Sequence, residues 1–240
     1  MRFLSLFAAA LALGAVAVPA AAGTNLVVNG DFEATTAGPG QFDHQTIATG
    51  WSSNGYNFVF GAGTADTTGS SGESGNLSLW GSHNGGNDVF ANSPTGGNFV
   101  AADGAYETAP IQQTITGLKI GKAFTVSFDW AAAQQTGFSG DTTEKWLVSL
   151  GNQTISTAKY SNPSHSFSGW MHESFTFTAT GTTEVLSFLA LGTPEGKPPF
   201  SLLDGVSGTV PEPATWAMMI GGLGLVGGAM RARRRGTVAA

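Results

Sequence analysis

Five tryptophans lie between Gly23 and Thr209: Trp51, Trp80, Trp130, Trp146 and Trp170. An indole can stack its face on the apolar face of a sugar ring, and it can equally fill a protein core. Position along a strand separates the two uses. Trp130 and Trp146 fall in phase with apolar residues that alternate with polar ones (Phe124, Val126, Phe128; Val148, Leu150), so both are expected in the core. Trp51 and Trp170 each follow a glycine, whereas Trp80 stands beside the polar run Gly81 to Asn87. Trp80 and Tyr56 are the candidate ligand-binding aromatics, with Tyr160 behind them.

Other chemistries find less support. The histidines His44, His83, His165 and His172 include no His-Glu-x-x-His zinc motif, because His172-Glu173 continues as Ser-Phe-Thr. They are read as surface or loop residues. No Gly-x-Ser-x-Gly offers a serine nucleophile on a strand-to-helix elbow. A glycosidase needs two facing carboxyl groups that can be far apart in sequence, and fifteen acids in this stretch leave that route open. Gly222, Gly224 and Gly227 match the dinucleotide pattern, yet they follow no strand and no acid lies about 20 residues on. Cysteine is absent, so neither a disulfide nor thiol chemistry is available. Against the fifteen acids stand five lysines and no arginine, a net charge of about −10. Such a surface repels a phosphate backbone and argues against nucleic-acid binding.

The elements that must position these groups are strands. Ile111, Gln113 and Ile115 alternate with polar residues, as do Phe124 to Trp130, Trp146 to Leu150, and Phe175 and Phe177 within Glu173 to Thr180. Leu26-Val27-Val28, Asn57 to Phe60, Asn98 to Ala102, Val185 to Leu191 and Phe200 to Val206 are further strands, with turns at Asn29-Gly30, Gly117 to Gly121 and Gly181. Gly61 to Gly97 is rich in Gly, Ser, Thr and Asn and reads as loops with short strands at Leu77 to Trp80 and Asp88 to Ala91. No amphipathic helix interrupts them. The pattern predicts one all-β domain over residues 23–209, an antiparallel β-sandwich.

The two ends read as addresses. Residues 1–22 carry Arg2, an apolar run from Phe3 to Val18 and the small exit Ala20-Ala21-Ala22, the layout of a signal peptide. In residues 210–235, Pro211 and Pro213 flank Glu212 and hold the backbone extended. Residues 214–230 carry no charge and fit one short membrane helix, in which Gly224 and Gly228 make a close-packing surface. Arg231, Arg233, Arg234 and Arg235 close it with a cluster that stays cytoplasmic.

This order closely resembles the PEP-CTERM sorting signal of Gram-negative bacteria. The resemblance implies recognition of Pro211, Glu212 and Pro213 by a membrane-embedded exosortase, transient residence in the inner membrane, and removal of the tail. Across Asn25 to Ser207 a second resemblance appears. Asn-Gly-Asp-Phe-Glu at 29–33, Gly50-Trp51, Ile111 to Leu118, Trp170 with Phe175 to Thr180, and Leu203-Asp204-Gly-Val206 are similar to the galactose-binding-like jelly roll of many carbohydrate-binding modules. That likeness implies structural roles for Trp51 and Trp170. It also implies a calcium site at the ends of the first and last strands, held by Glu33 and Asp204 with Asp31 as a third contributor. The competing account is that these acids bond only to backbone amides. The expectation is an exported, non-enzymatic envelope or exopolysaccharide-associated protein that binds glycan or serves structurally. The alternatives are a secreted polysaccharide-acting enzyme and a protein-binding adhesion module.

Overall fold

The computed structural model describes residues 23–210, together with 221–225, 227, 228 and 231 of the tail. Gly23–Pro211 forms a compact unit of its own. Its fourteen strands are β1 Thr24–Asn25, β2 Gly40–Gln41, β3 Asn57–Phe60, β4 Ser70–Gly72, β5 Gly75–Leu77, β6 Phe99–Asp103 and β7 Ile111–Thr116, followed by β8 Ala123–Gln134, β9 Thr142–Leu150, β10 Gln153–Ser156, β11 Tyr160–Asn162, β12 Met171–Thr178, β13 Thr183–Thr193 and β14 Pro199–Val210. All pairings between them are antiparallel.

Seven strands make one sheet in the order β12-β8-β14-β6-β3-β2, with β1 also on β14. Five make the second, β10-β9-β13-β7, with β11 also on β9. Between the sheets lies a core that includes Trp51, Trp130, Trp146, Phe124, Phe128, Phe177 and Phe188. These residues are in phase because successive side chains on a strand point to opposite faces. In β9 the inward set Thr142, Glu144, Trp146, Val148 and Leu150 is buried and the outward set is only partly so.

The seven-stranded sheet is covered on its other face too. There Phe58, Phe60, Phe99, Ala101, Ala131, Ala133, Phe200 and Leu202 pack with Ala65, Leu77, Leu79 and Phe167. Those last four come from outside the sheet: the first three from the Gly61 to Gly97 stretch, and Phe167 from the loop before β12. Double coverage shows in β8, which alternates up to Trp130 and is then buried at every residue from Ala131 to Gln134.

Two expected strands are absent. Leu26 to Val28 forms no strand beyond β1 because the side chain of Gln113 takes the place of a partner strand: its Oε1 accepts from Val28 N at 2.9 Å and its Nε2 donates to Val28 O at 2.8 Å. Asp88 to Ala91 is also irregular, since Asp88 Oδ2 accepts from Phe167 N at 3.1 Å and Phe90 stacks on Phe167 at 4.3 Å. Of the expected Leu77 to Trp80 strand, only Leu77 is in β5, and Leu79 makes an isolated bridge to Gln135. The last strand runs to Val210, just past the expected boundary at Thr209.

The signal-peptide segment, residues 1–22, lies outside the described residues, as do Pro211, Glu212, Pro213, Arg233, Arg234 and Arg235. Within the expected helix at 214–230, residues 221–225, 227 and 228 are described and helical, and Arg231 after it is helical and exposed. Among the described residues no helix is long and apolar enough to cross a membrane.

Candidate functional site

Four neighbouring strands of the larger sheet end together. Being antiparallel, they bring alternate termini to one edge: Gln135 just after β8, Pro198 just before β14, Asp103 closing β6, and Tyr56 just before β3. These four residues, with Tyr106, Phe138, Glu195 and Gly196 from the adjoining loops, line an open cleft of about 340 Å3. Odd-numbered β6 residues face away from the five-stranded sheet, so Asp103 lies on the same side as Phe99 and Ala101.

Asp103 is 1% exposed. Its Oδ1 accepts from Ala105 N at 2.8 Å and Tyr106 N at 3.1 Å, which turns the chain back after the strand. Its Oδ2 has no partner. Burial pushes the carboxyl up to about 6, against the pull of those two amides. Gly104 is required next to it: its N donates to Pro199 O and its O accepts from Gly192 N, both at 2.8 Å, and a Cβ there would strike the Gly192 backbone.

Aromatic rings form much of the remaining lining. Tyr56 is half-buried and stands edge-on to Tyr106, with centroids 5.3 Å apart. Its backbone is fixed on both sides, N to Glu107 O at 2.9 Å and O from Asp103 N at 3.1 Å. Burial first, and Asp103 second, push its phenol up. Tyr106 is 49% and Phe138 37% exposed, so both rings present apolar surface to the cleft. Aromatic rings around a few polar groups can hold a sugar, with the rings stacking and the polar atoms fixing its orientation.

Of the residues singled out by sequence, Tyr56 is in this cleft. Trp80 is next to it and not in its lining: the indole is half-buried against His165 at 4.1 Å, and Nε1 donates to Phe138 O at 2.9 Å. Trp80 thereby braces the loop that presents Phe138. Trp51, Trp130 and Trp146 are core residues. Trp170 packs on the outer-face cluster and donates to Ala91 O at 2.9 Å, and Tyr160 packs on the core between the sheets. His44, His83 and His172 pair with Glu73, Asp66 and Asp129, and His165 bonds Ser139.

Glu33, Asp31 and Asp204 were expected to gather around calcium. Both Asp204 oxygens already meet protein donors, Thr95 Oγ1 at 2.5 Å and Gly205 N at 2.7 Å. Its carboxyl is fully buried and pushed up to about 6, with burial the leading cause. Glu33 Oε1 accepts from Asn98 N at 2.6 Å, and Asp31 is exposed. Among the described residues no three acidic or histidine side chains are grouped to hold a metal. Asp204 and Glu33 thereby clamp the 93–98 loop, and a calcium ion there would need loop carbonyls beside these carboxylates to reach its six to eight oxygens.

Sequence reasoning missed Asp103, Tyr106, Phe138, Gln135 and Glu195. One signal was available: Asp103-Gly104 ends an apolar strand with a carboxyl, three residues before a tyrosine.

Residues 209–235 match the PEP-CTERM protein-sorting motif. That motif marks the chain as exported and destined for the cell surface. No curated protein matches the chain. Similar solved structures include carbohydrate-binding modules, an adhesin domain and parts of two larger enzyme chains. TmCBM61 in complex with β-1,4-galactotriose is 14% identical, covering 78% of this chain and 99% of its own, with a TM-score of 0.45. The CBM22-1 xylan-binding domain of Paenibacillus barcinonensis Xyn10C is 13% identical, covering 80% and 98%, with a TM-score of 0.38. The K3 adhesin domain of Lys-gingipain from Porphyromonas gingivalis is 12% identical, covering 73% and 99%, with a TM-score of 0.37. The sandwich architecture itself rests on the strand pairing described above.

Proposed function

We propose that this chain is a non-enzymatic surface protein that binds glycan in the Tyr56–Tyr106–Phe138 cleft, after an exosortase has removed its tail near Pro211-Glu212-Pro213. The observation that carries the reading is Asp103 Oδ2, a buried oxygen without a partner inside an aromatic lining. Of the nine buried side-chain atoms without a partner among the described residues, it is the one whose residue lines this cleft, and a ligand hydroxyl or amine reaching it would complete its hydrogen bonding. The ligand is then a component of the envelope or the exopolysaccharide around it.

The test is a glycan array probed with the exported domain, residues 23–210, with and without calcium. Binding that Tyr106→Ala reduces about tenfold supports the cleft; silence on every glycan moves the protein to a structural or protein-adhesive role. A signal that appears only with calcium would support a metal site at Glu33, Asp31 and Asp204. Intact-mass analysis of surface protein tests the processing: retention of Arg231 to Arg235 would count against it. One observation favours a second reading, a polysaccharide-acting enzyme: Asp103 and Glu195 share the cleft, and paired carboxyl groups are the machinery of glycoside hydrolysis. Release of reducing ends from a bound polysaccharide, abolished by Glu195→Gln, would establish it.

A further inference from the structure

The charge of the cleft narrows its ligand. Two of its lining residues are carboxylic acids, Asp103 and Glu195, and none is lysine or arginine. Glu107 adds negative charge beside Tyr56 and Tyr106. Lys197 sits between the lining residues Gly196 and Pro198, but its ammonium lies against Gly140, outside the lining. Among the described residues neither Asp103 nor Glu195 is in a salt bridge. Tyr56 and Tyr106 face the site as neutral phenols, both pushed up, Tyr56 by burial and Tyr106 by its bond to Glu107.

An ionised carboxylate at 1% exposure with no counter-charge is a costly arrangement. A sugar hydroxyl would satisfy the orphan oxygen and leave the charge uncompensated. An ammonium would do both, and aromatic ring faces attract a cation as well. An acetamido group offers one N–H and no charge. A uronic acid, sulfate or phosphate would meet two or three negative groups. Resting on the reading that this cleft holds glycan, we infer that the sugar it selects carries a free, protonated amine, a de-N-acetylated hexosamine whose ammonium seats on Asp103 Oδ2 within the aromatic lining.

The pH dependence follows from the two titrations. Below about 6 Asp103 takes up a proton, and the attraction for a cation fades. Above roughly 8, the range of an α-amino group, a sugar amine loses its proton. Affinity for an amino sugar is therefore greatest between these limits, while affinity for its N-acetylated form has no such peak.

Calorimetric titration of the exported domain at pH 7 with a glucosamine trimer, its fully N-acetylated counterpart and a galacturonate trimer tests this. The glucosamine trimer is expected to bind at least about tenfold more tightly than the acetylated one, with the galacturonate trimer weakest. That preference should collapse at pH 5. Asp103→Asn keeps an oxygen for the Ala105 and Tyr106 amides and should erase the preference for the glucosamine trimer over the acetylated one. Glu195→Gln, at an exposed loop position where folding is not at stake, should reduce the preference by a smaller factor. Equal or tighter binding of the acetylated trimer, lost with Tyr106→Ala, would overturn the amine inference and leave the glycan reading standing. No binding by any of the three trimers would overturn the amine inference, and the glycan array decides the broader reading separately.

Discussion

On its inner face, the seven-stranded sheet meets another sheet, and large side chains such as Trp130, Phe128 and Phe124 interlock with Trp146 and Phe188 at strand spacing. On its outer face, small residues, Ala101, Ala131 and Ala133, alternate with phenylalanines beneath an irregular cover. Side chains largely tether that cover to backbone: Ser70 Oγ to Val59 O at 2.6 Å, Asn87 Nδ2 to Ser164 O at 2.8 Å, Asp88 to Phe167 N. Each face also buries an acid. Glu144 is sealed between the sheets, where Thr142 Oγ1 bonds one oxygen and the other has no partner. Asp103 also lacks a partner on one oxygen, but it lies where the outer cover ends and the cleft begins. The lesson is that the same defect is only a cost inside a closed core, while at the margin of an incomplete cover it borders an open cleft.

The contrast breaks most readily at Trp146. Trp146→Ala removes a fully buried indole and its bond to Leu202 O, and should cost about 3–5 kcal/mol by urea unfolding. Phe90→Ala, in the half-buried outer cover, should cost only about 1–2 kcal/mol. Equal losses would mean that the two faces are packed alike.

Glu144 comes next. Burial pushes it from 4.5 up to about 8, so between those values the folded protein holds a proton that the unfolded chain has lost. Raising pH across that window therefore draws the equilibrium toward unfolding, by up to about 1.4 kcal/mol per pH unit. Asp103 and Asp204 act in the same direction from 3.8 to about 6. Glu144→Gln keeps an acceptor for Thr142 and should flatten the loss from pH 6 to 8; an unchanged slope in unfolding curves would show that Glu144 is not the titrating group.

Tyr106→Ala sharpens the cleft side of the comparison. Being half exposed, it should change stability by less than about 1 kcal/mol, while glycan affinity falls about tenfold. A variant that unfolds early yet binds normally would reverse the assignment. The smallest effect belongs to Trp80→Phe, which deletes the bond to Phe138 O. It should cost about 1 kcal/mol or less and weaken glycan binding by about two- to threefold through the Phe138 loop. A tenfold loss would make Trp80 itself a contact.

Most of the sandwich could be read in advance because its strands obey a two-residue period. β7, β8, β9 and β12 to β14 each carry that alternation or an apolar run over most of their length. The Gly61 to Gly97 stretch could not be read so, because Ala65, Leu77, Leu79 and Phe90 reach the outer cluster at irregular spacing and are held by turns and side-chain tethers. The early strand failed for a related reason: Gln113, 85 residues from Val28, supplies the bonds that a neighbouring strand would have given. Tyr56 was recognised as a candidate by residue type alone. Its partner Asp103 was not, since nothing at position 103 shows that Gln135, Phe138 and Glu195 will gather around it.

The sequence by itself determined the C-terminal sorting motif, the absence of disulfides, the acidic charge and the alternation that builds sheets, because these are properties of composition and of short patterns along the chain. Only the tertiary structure decided which acid would be stranded in the core, which would clamp a loop and which would face a cleft. A carboxyl group's environment is set by neighbours that can be 30 to 100 residues away along the chain, as Gln135 and Glu195 are from Asp103, and burial and missing counter-charge exist only once those neighbours have met.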